Sequence, residues 1–202
     1  MTVSGVIPAS NRESELELAK RCASGDRTAQ RELFFGYRRS VHATLYRILG
    51  GNNEIEDLVQ DSFFQVLKSI GGYRGDAALA TWIGRIATRV AFAYIRKRPR
   101  IPTPLESVAH VPEDRADVEH QAIAREALRR LYAALDRVEA KQRIAYALHV
   151  IDGRSMREVA ALTGATIVAT KSRVWRARRE VNRRAAKDPL LATYLQSEGS
   201  ET

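Results

Sequence analysis

The sequence predicts an all-α protein made of two small helical domains, and three observations carry that expectation. Apolar residues recur at three- and four-residue spacing from Leu16 to Val181, no segment alternates apolar and polar residues as a strand does, and a proline-dense stretch divides the chain. Four of the six prolines fall between Pro99 and Pro112, and the acidic Glu113, Asp114, Asp117 and Glu119 follow. Residues 99–118 therefore read as a linker between a first domain at 13–98 and a second at 119–187. With 202 residues, 45% of them hydrophobic, the chain has enough apolar material for a core in each.

Taken in order, residues 1–12 form a polar tail. Glu13 to Ser24 places Leu16, Ala19, Cys22 and Ala23 on one side of a first helix, which Gly25 ends. Asp26 suits the N-cap of a second helix reaching Leu49, with Leu33, Phe34, Tyr37, Val41, Leu45 and Ile48 facing inward. After Gly50-Gly51-Asn52-Asn53 a third helix, Ile55 to Ser69, buries Leu58, Val59, Phe63, Val66 and Leu67. The stretch Gly71 to Asp76 is too glycine-rich for regular structure, and a fourth helix runs from about Ala78 to Arg98. Beyond the linker, Glu119 to Val138 carries Ile123, Leu128, Leu131 and Leu135 on a long helix, and Lys141 to Ile151 forms a shorter one. Leu190, Leu191, Tyr194 and Leu195 can pack as a last turn.

Between Ser155 and Arg179 the spacing predicts a helix-turn-helix. Ser155 with Glu158 makes a capping box, Met156, Val159, Ala160 and Leu162 mark the buried side, and Gly164 supplies a turn residue that accepts positive φ. Thr166 then caps a second helix on which Ile167, Val174, Ala177 and Val181 face inward, while Lys171, Ser172, Arg173 and Arg176 face outward. No Asp or Glu occurs from Val159 to Arg179, a one-signed face that suits DNA better than plain solvation.

Charge elsewhere is equally uneven. The net charge is +9, which favours a polyanionic partner. From Ala77 to Leu105 there is no acidic residue, and Arg85, Arg89 and Arg96 lie near one stripe with Tyr73, Trp82 and Tyr94 supplying aromatic faces. Positive charge tracks phosphates and rings accept unstacked bases, so this second basic surface suits opened or single-stranded DNA. The third helix has the opposite character: Glu54, Glu56, Asp57 and Asp61 fall in a window free of Lys and Arg from Ile48 to Leu67. Beside two DNA-facing surfaces, that patch suits a basic protein partner, with Gln60 and Gln65 adding hydrogen bonds.

This constellation resembles a bacterial RNA polymerase sigma factor of the extracytoplasmic-function group, the small members of the sigma-70 family. The residues that carry the likeness are Glu56-Asp57-Leu58-Val59-Gln60-Asp61-Ser62-Phe63, then Tyr73-Arg74-Gly75-Asp76 leading into Thr81-Trp82-Ile83-Gly84-Arg85-Ile86-Ala87, and Lys171-Ser172-Arg173-Val174-Trp175-Arg176-Ala177-Arg178. The resemblance implies that Asp57, Leu58, Gln60, Asp61 and Phe64 meet the core polymerase. It implies that Tyr73, Arg74, Asp76, Thr81, Trp82, Arg85, Arg89, Tyr94 and Arg96 recognise and help melt the minus-10 element. Lys171, Ser172, Arg173 and Arg176 would read the minus-35 element in promoter DNA. It also implies an anti-sigma factor as a partner, often membrane-bound. Family members usually have Gly-Thr-Val where this chain has Val168-Ala169-Thr170, and often Asn and Asp where it has Arg89 and Ala93. Those departures bear on promoter preference and leave the fold alone.

Other classes fit less of the chain. A stand-alone helix-turn-helix regulator would explain the second domain and leave the acidic third helix and the Tyr73 loop without a role. An enzyme is not expected: His42, His110, His120 and His149 lie far apart, no phosphate-binding Gly-Lys loop occurs, and no cofactor or metal is implied. Cys22 is the only cysteine, which excludes a disulfide within the chain and points to a buried structural thiol. Met1 to Asn11 has no signal-peptide pattern, and the most apolar run, Ala77 to Ile95, is interrupted by Arg85 and Arg89, so the expected location is the cytoplasm.

Overall fold

The computed structural model describes residues 9–97 and 115–198, and among them there are nine α-helices and no strand. The helices are α1 (Ala9–Ala23), α2 (Arg27–Leu49), α3 (Ile55–Ser69), α4 (Leu79–Lys97), α5 (Arg115–Leu135), α6 (Ala140–Tyr146), α7 (Met156–Thr163), α8 (Ile167–Ala185) and α9 (Pro189–Glu198). Most of the expected linker lies outside the described residues. Its last four positions do not: α5 already begins at Arg115, four residues earlier than the acidic composition suggested.

Local chemistry explains the boundaries. The Asp26 carboxylate accepts hydrogen bonds from the Thr28 and Ala29 N–H groups at the start of α2, and burial of Ala29, Leu33, Val41, Leu45 and Ile48 fixes its inward face. At α7 both halves of the capping box form, with the Ser155 hydroxyl receiving the Glu158 N–H and the Glu158 carboxylate receiving the Ser155 N–H. Those bonds hold the Glu158 carboxyl below its usual range. Gly164, at φ 63°, turns the chain, and the Thr166 hydroxyl caps α8. Between α6 and α7 the backbone widens into one π turn over Ala147–Ile151, where the sequence predicted continuous α-helix.

Four inward assignments need correction, the first being Ala23, which is exposed near the end of α1. Leu67 is 36% exposed, Ile123 48% and Ile167 42%. Each sits at the edge of its helix's apolar stripe, where a few tens of degrees decide between core and solvent.

The two domains do not stand apart. One continuous core runs from Leu33, Leu45 and Ile86 of the first to Ile144, Leu148 and Leu162 of the second. A smaller core formed by Leu135, Val181 and Leu191 closes the outer side of the second domain, so Leu191 does pack as the sequence suggested.

The contact between domains is built around the end of α2, where the last four carbonyls have no partner within the helix. The Tyr46 carbonyl receives the Gly50 N–H, and the other three are served by the second domain. The Tyr132 hydroxyl donates to Arg47 O at 2.8 Å, while Arg143 donates through Nε to Ile48 O and through Nη2 to Leu49 O, each at 3.0 Å. The same guanidinium pairs with Asp136, and Arg47 pairs with Asp152. A cation at a helix C-terminus also complements the macrodipole.

Two glycines let the domains approach. A Cβ at Gly50 would lie 2.9 Å from the Tyr132 ring, and one at Gly84 would lie 2.8 Å from Leu162 Cδ2. Gly84→Val should therefore destabilise the chain by about 1–3 kcal/mol through overpacking, although valine for glycine would help an isolated helix. Urea denaturation checks this; an unchanged or raised midpoint would mean that α4 and α7 do not share this contact in solution.

Candidate nucleic-acid and polymerase interfaces

On α3 the side chains separate cleanly into two faces. Leu58, Val59, Phe63 and Val66 enter the core, and Asp57, Gln60, Asp61 and Phe64 are exposed on the other side. Phe64, at 69% exposure, is among the most open apolar residues of the chain, and with the two carboxylates it makes an apolar and acidic patch. Glu56 is engaged, pairing with Arg38 at 2.9 Å and lying 3.6 Å from His42. Leu58 is buried at 7% exposure and supports the patch from beneath.

The loop between α3 and α4 is held tightly. The Tyr73 hydroxyl lies 2.8 Å from the Ala77 carbonyl and 3.0 Å from a Glu15 carboxylate oxygen, and the same oxygen accepts the Leu79 N–H at the start of α4. Burial, with the Glu15 hydrogen bond second, raises the Tyr73 hydroxyl well above its usual pKa and keeps it neutral. Tyr73 is thus a buried pin with its edge against Trp82, the ring centroids being 5.8 Å apart, and not the open stacking platform the sequence suggested. Arg74 and Asp76 remain exposed, and Thr81, Trp82 and Tyr94 are half-buried.

Along α4 the three arginines have different surroundings. Arg85 donates from Nε to the Ala161 carbonyl of α7 at 2.7 Å. Arg89 is exposed at the mouth of a cleft between the domains, and Arg96 stacks over Phe92 at 5.6 Å.

On α8, Lys171 and Arg176 are exposed and Ser172 is half-buried. Arg173 is turned aside: it is half-buried and lines the same cleft as Arg89. The middle of the open face also holds residues that charge counting passed over. Val168 is 78% exposed, and Trp175 is 59% exposed with the Arg179 guanidinium 5.7 Å over its ring. The signal was available, since Val168, Trp175 and Arg179 lie at i, i+7 and i+11 on the side away from Val174 and Val181.

Comparison with known proteins gives this geometry its context. The family model for sigma-70 region 2 matches residues 33–101, spanning most of α2 through α4, and that for sigma-70 region 4 matches residues 128–181, which hold the helix-turn-helix. The chain belongs to the sigma-70 family. The RNA polymerase sigma-H factor of Pseudomonas aeruginosa is 25% identical over 188 residues, covering 89% of this chain and 96% of that protein. The extracytoplasmic-function sigma-E factor of Haemophilus influenzae is 27% identical over 184 residues, covering 86% and 95%. Among solved structures, the sigma factor RpoE from Bartonella quintana, crystallised with the anti-sigma factor NepR, matches with a TM-score of 0.53 at 25% identity, covering 78% of this chain and 97% of that one. This sigma factor is of the extracytoplasmic-function group and acts in promoter-directed transcription initiation. Among the described residues no helix is long and apolar enough to cross a membrane.

Proposed function

We propose that this sigma factor docks on core RNA polymerase through the exposed α3 face, Asp57, Gln60, Asp61 and Phe64, and grips a promoter at two points. The acidic and apolar character of that face, whose Asp57 and Asp61 have no ion-pair partner among the described residues, in a chain of net charge +9, is the observation that carries the reading. The minus-10 element is met by Arg74, Asp76, Thr81, Trp82 and the arginines of α4, with Tyr73 holding the loop in shape. The minus-35 element is read by Lys171, Ser172 and Arg176, joined by Arg173 once the domains separate, with Val168 and Trp175 offering apolar contact to thymine methyl groups. Residues 13–98 and 119–187 serve as the two functional units, and 99–118 joins them across the polymerase.

In the arrangement described above, Arg85 and Arg173 both face the domain boundary, so promoter engagement involves opening it. An anti-sigma factor that prefers the closed form would hold the protein inactive, and the NepR complex of the Bartonella quintana relative supports the expectation of such a partner. The working location is the cytoplasm.

Run-off transcription with added core polymerase tests the reading. Initiation from a subset of genomic promoters is the expected result, and it should depend on Lys171 and Arg176. Failure on every promoter, with core binding intact, would sink the two-point grip.

A further inference from the structure

Between the domains, walled on one side by the turn and second helix of the helix-turn-helix, lies a cleft of about 300 Å³. Its walls come from α4, α6, α7 and α8, and its charged lining residues are Arg89, Lys141 and Arg173, one from each of three helices and from both domains. No carboxylate lines it, and among the described residues none of the three cations has an ion-pair partner. Below them, Phe92, Ile144 and Leu162 make an apolar floor.

Closing the domains thus gathers three like charges around one cleft, Arg173 half-buried and Arg89 and Lys141 at its exposed rim, and their repulsion opposes closure. Interdomain hydrogen bonds and core burial oppose that repulsion, and an anion would relieve it. Size selects among anions. The volume is at the lower end of the range for small-molecule sites, whereas an α-helix with its side chains is about 10–12 Å across. Chemistry narrows the choice further: two arginine forks and a lysine match the several oxygens of linked phosphates better than a single carboxylate, and the floor suits a flat organic group.

We propose that this cleft binds a small organic polyphosphate of the nucleotide type. Such a ligand bridges the two domains and holds the closed arrangement. Its occupancy follows from the cleft alone. The consequence for transcription rests on the DNA roles proposed above, because the bound phosphates occupy Arg89 and Arg173 and so oppose promoter binding.

Lys141 separates the two questions, since it is exposed and has no proposed DNA role. Calorimetric titration of the full chain with ATP in EDTA, at about 0.15 M salt, should show a single saturable site. Lys141→Gln should weaken it about tenfold, whereas the charge-matched Lys20→Gln on α1 should leave it unchanged. Equal weakening by both variants, or uptake at many sites, would reduce the effect to the diffuse charge of a basic protein and overturn the proposal. Tripolyphosphate binding as tightly as ATP would overturn the part played by the apolar floor. Displacement of ATP by an equal concentration of oligoglutamate would overturn the choice of phosphate in favour of an acidic protein segment. Each result is read without promoter DNA or polymerase, so it stands apart from success or failure of the transcription assay.

Discussion

Replacing Arg143 with alanine is expected to cost about 3–5 kcal/mol of folding stability, a large share of the roughly 5–15 kcal/mol of an ordinary domain. The side chain is 5% exposed and serves three acceptors at once: the Ile48 and Leu49 carbonyls and the Asp136 carboxylate. Hydrogen bonds from a charged donor contribute about 1.5–3 kcal/mol each, and a buried acceptor left alone loses its hydration as well. Asp136 is 23% exposed and can rehydrate, so most of the loss falls on the two carbonyls. Arg143→Lys should recover only part of it, because one ammonium cannot reproduce the guanidinium's planar fork. Urea denaturation of the two variants against the parent gives the numbers; a loss below about 1 kcal/mol for alanine would show that the clasp on α2 is not made in solution.

Charge reversal on α3, Asp57→Lys with Asp61→Lys, should have its effect on partnership and spare the fold. Both residues are exposed and lie on the face away from the core. Loss of Asp57 from the first helical turn forfeits a macrodipole contribution of about 0.3–1 kcal/mol. Affinity for core polymerase should fall by at least about tenfold, or 1.4 kcal/mol, with run-off transcription falling alongside it. Fluorescence anisotropy with labelled protein and core enzyme measures the first quantity. Undiminished core affinity in a folded double variant would remove the polymerase role from this face.

Local rules reached most of the helices. The Ile55–Ser69 span, the Asp26 cap of α2, the Ser155–Glu158 capping box and the Gly164 turn all follow from residues within a few positions of one another. The acidic face of α3 and the basic face of α8 were legible for the same reason, because charge segregation on one helix is a local pattern. What stayed hidden depends on contacts distant in the chain. Arg143 sits in the sequence beside Lys141 and Gln142 as one more basic residue, yet its carbonyl partners are 95 and 94 positions away. Glu15 carries no local signal of a special role, and only the fold brings it to Tyr73 and the start of α4. Arg173 was grouped with its neighbours by charge, although its angle on α8 turns it toward the other domain.

Gly50 and Gly84 carry a practical consequence for dissecting this protein. Each is a notch in the first domain filled by a side chain of the second, Tyr132 in one case and Leu162 in the other. A fragment cut at the linker would bare both notches, strip three carbonyls of α2 of their donors and leave Arg143 facing water. Affinities measured on such halves would describe surfaces that the intact closed chain does not display, and their sum would omit the work of separating the domains.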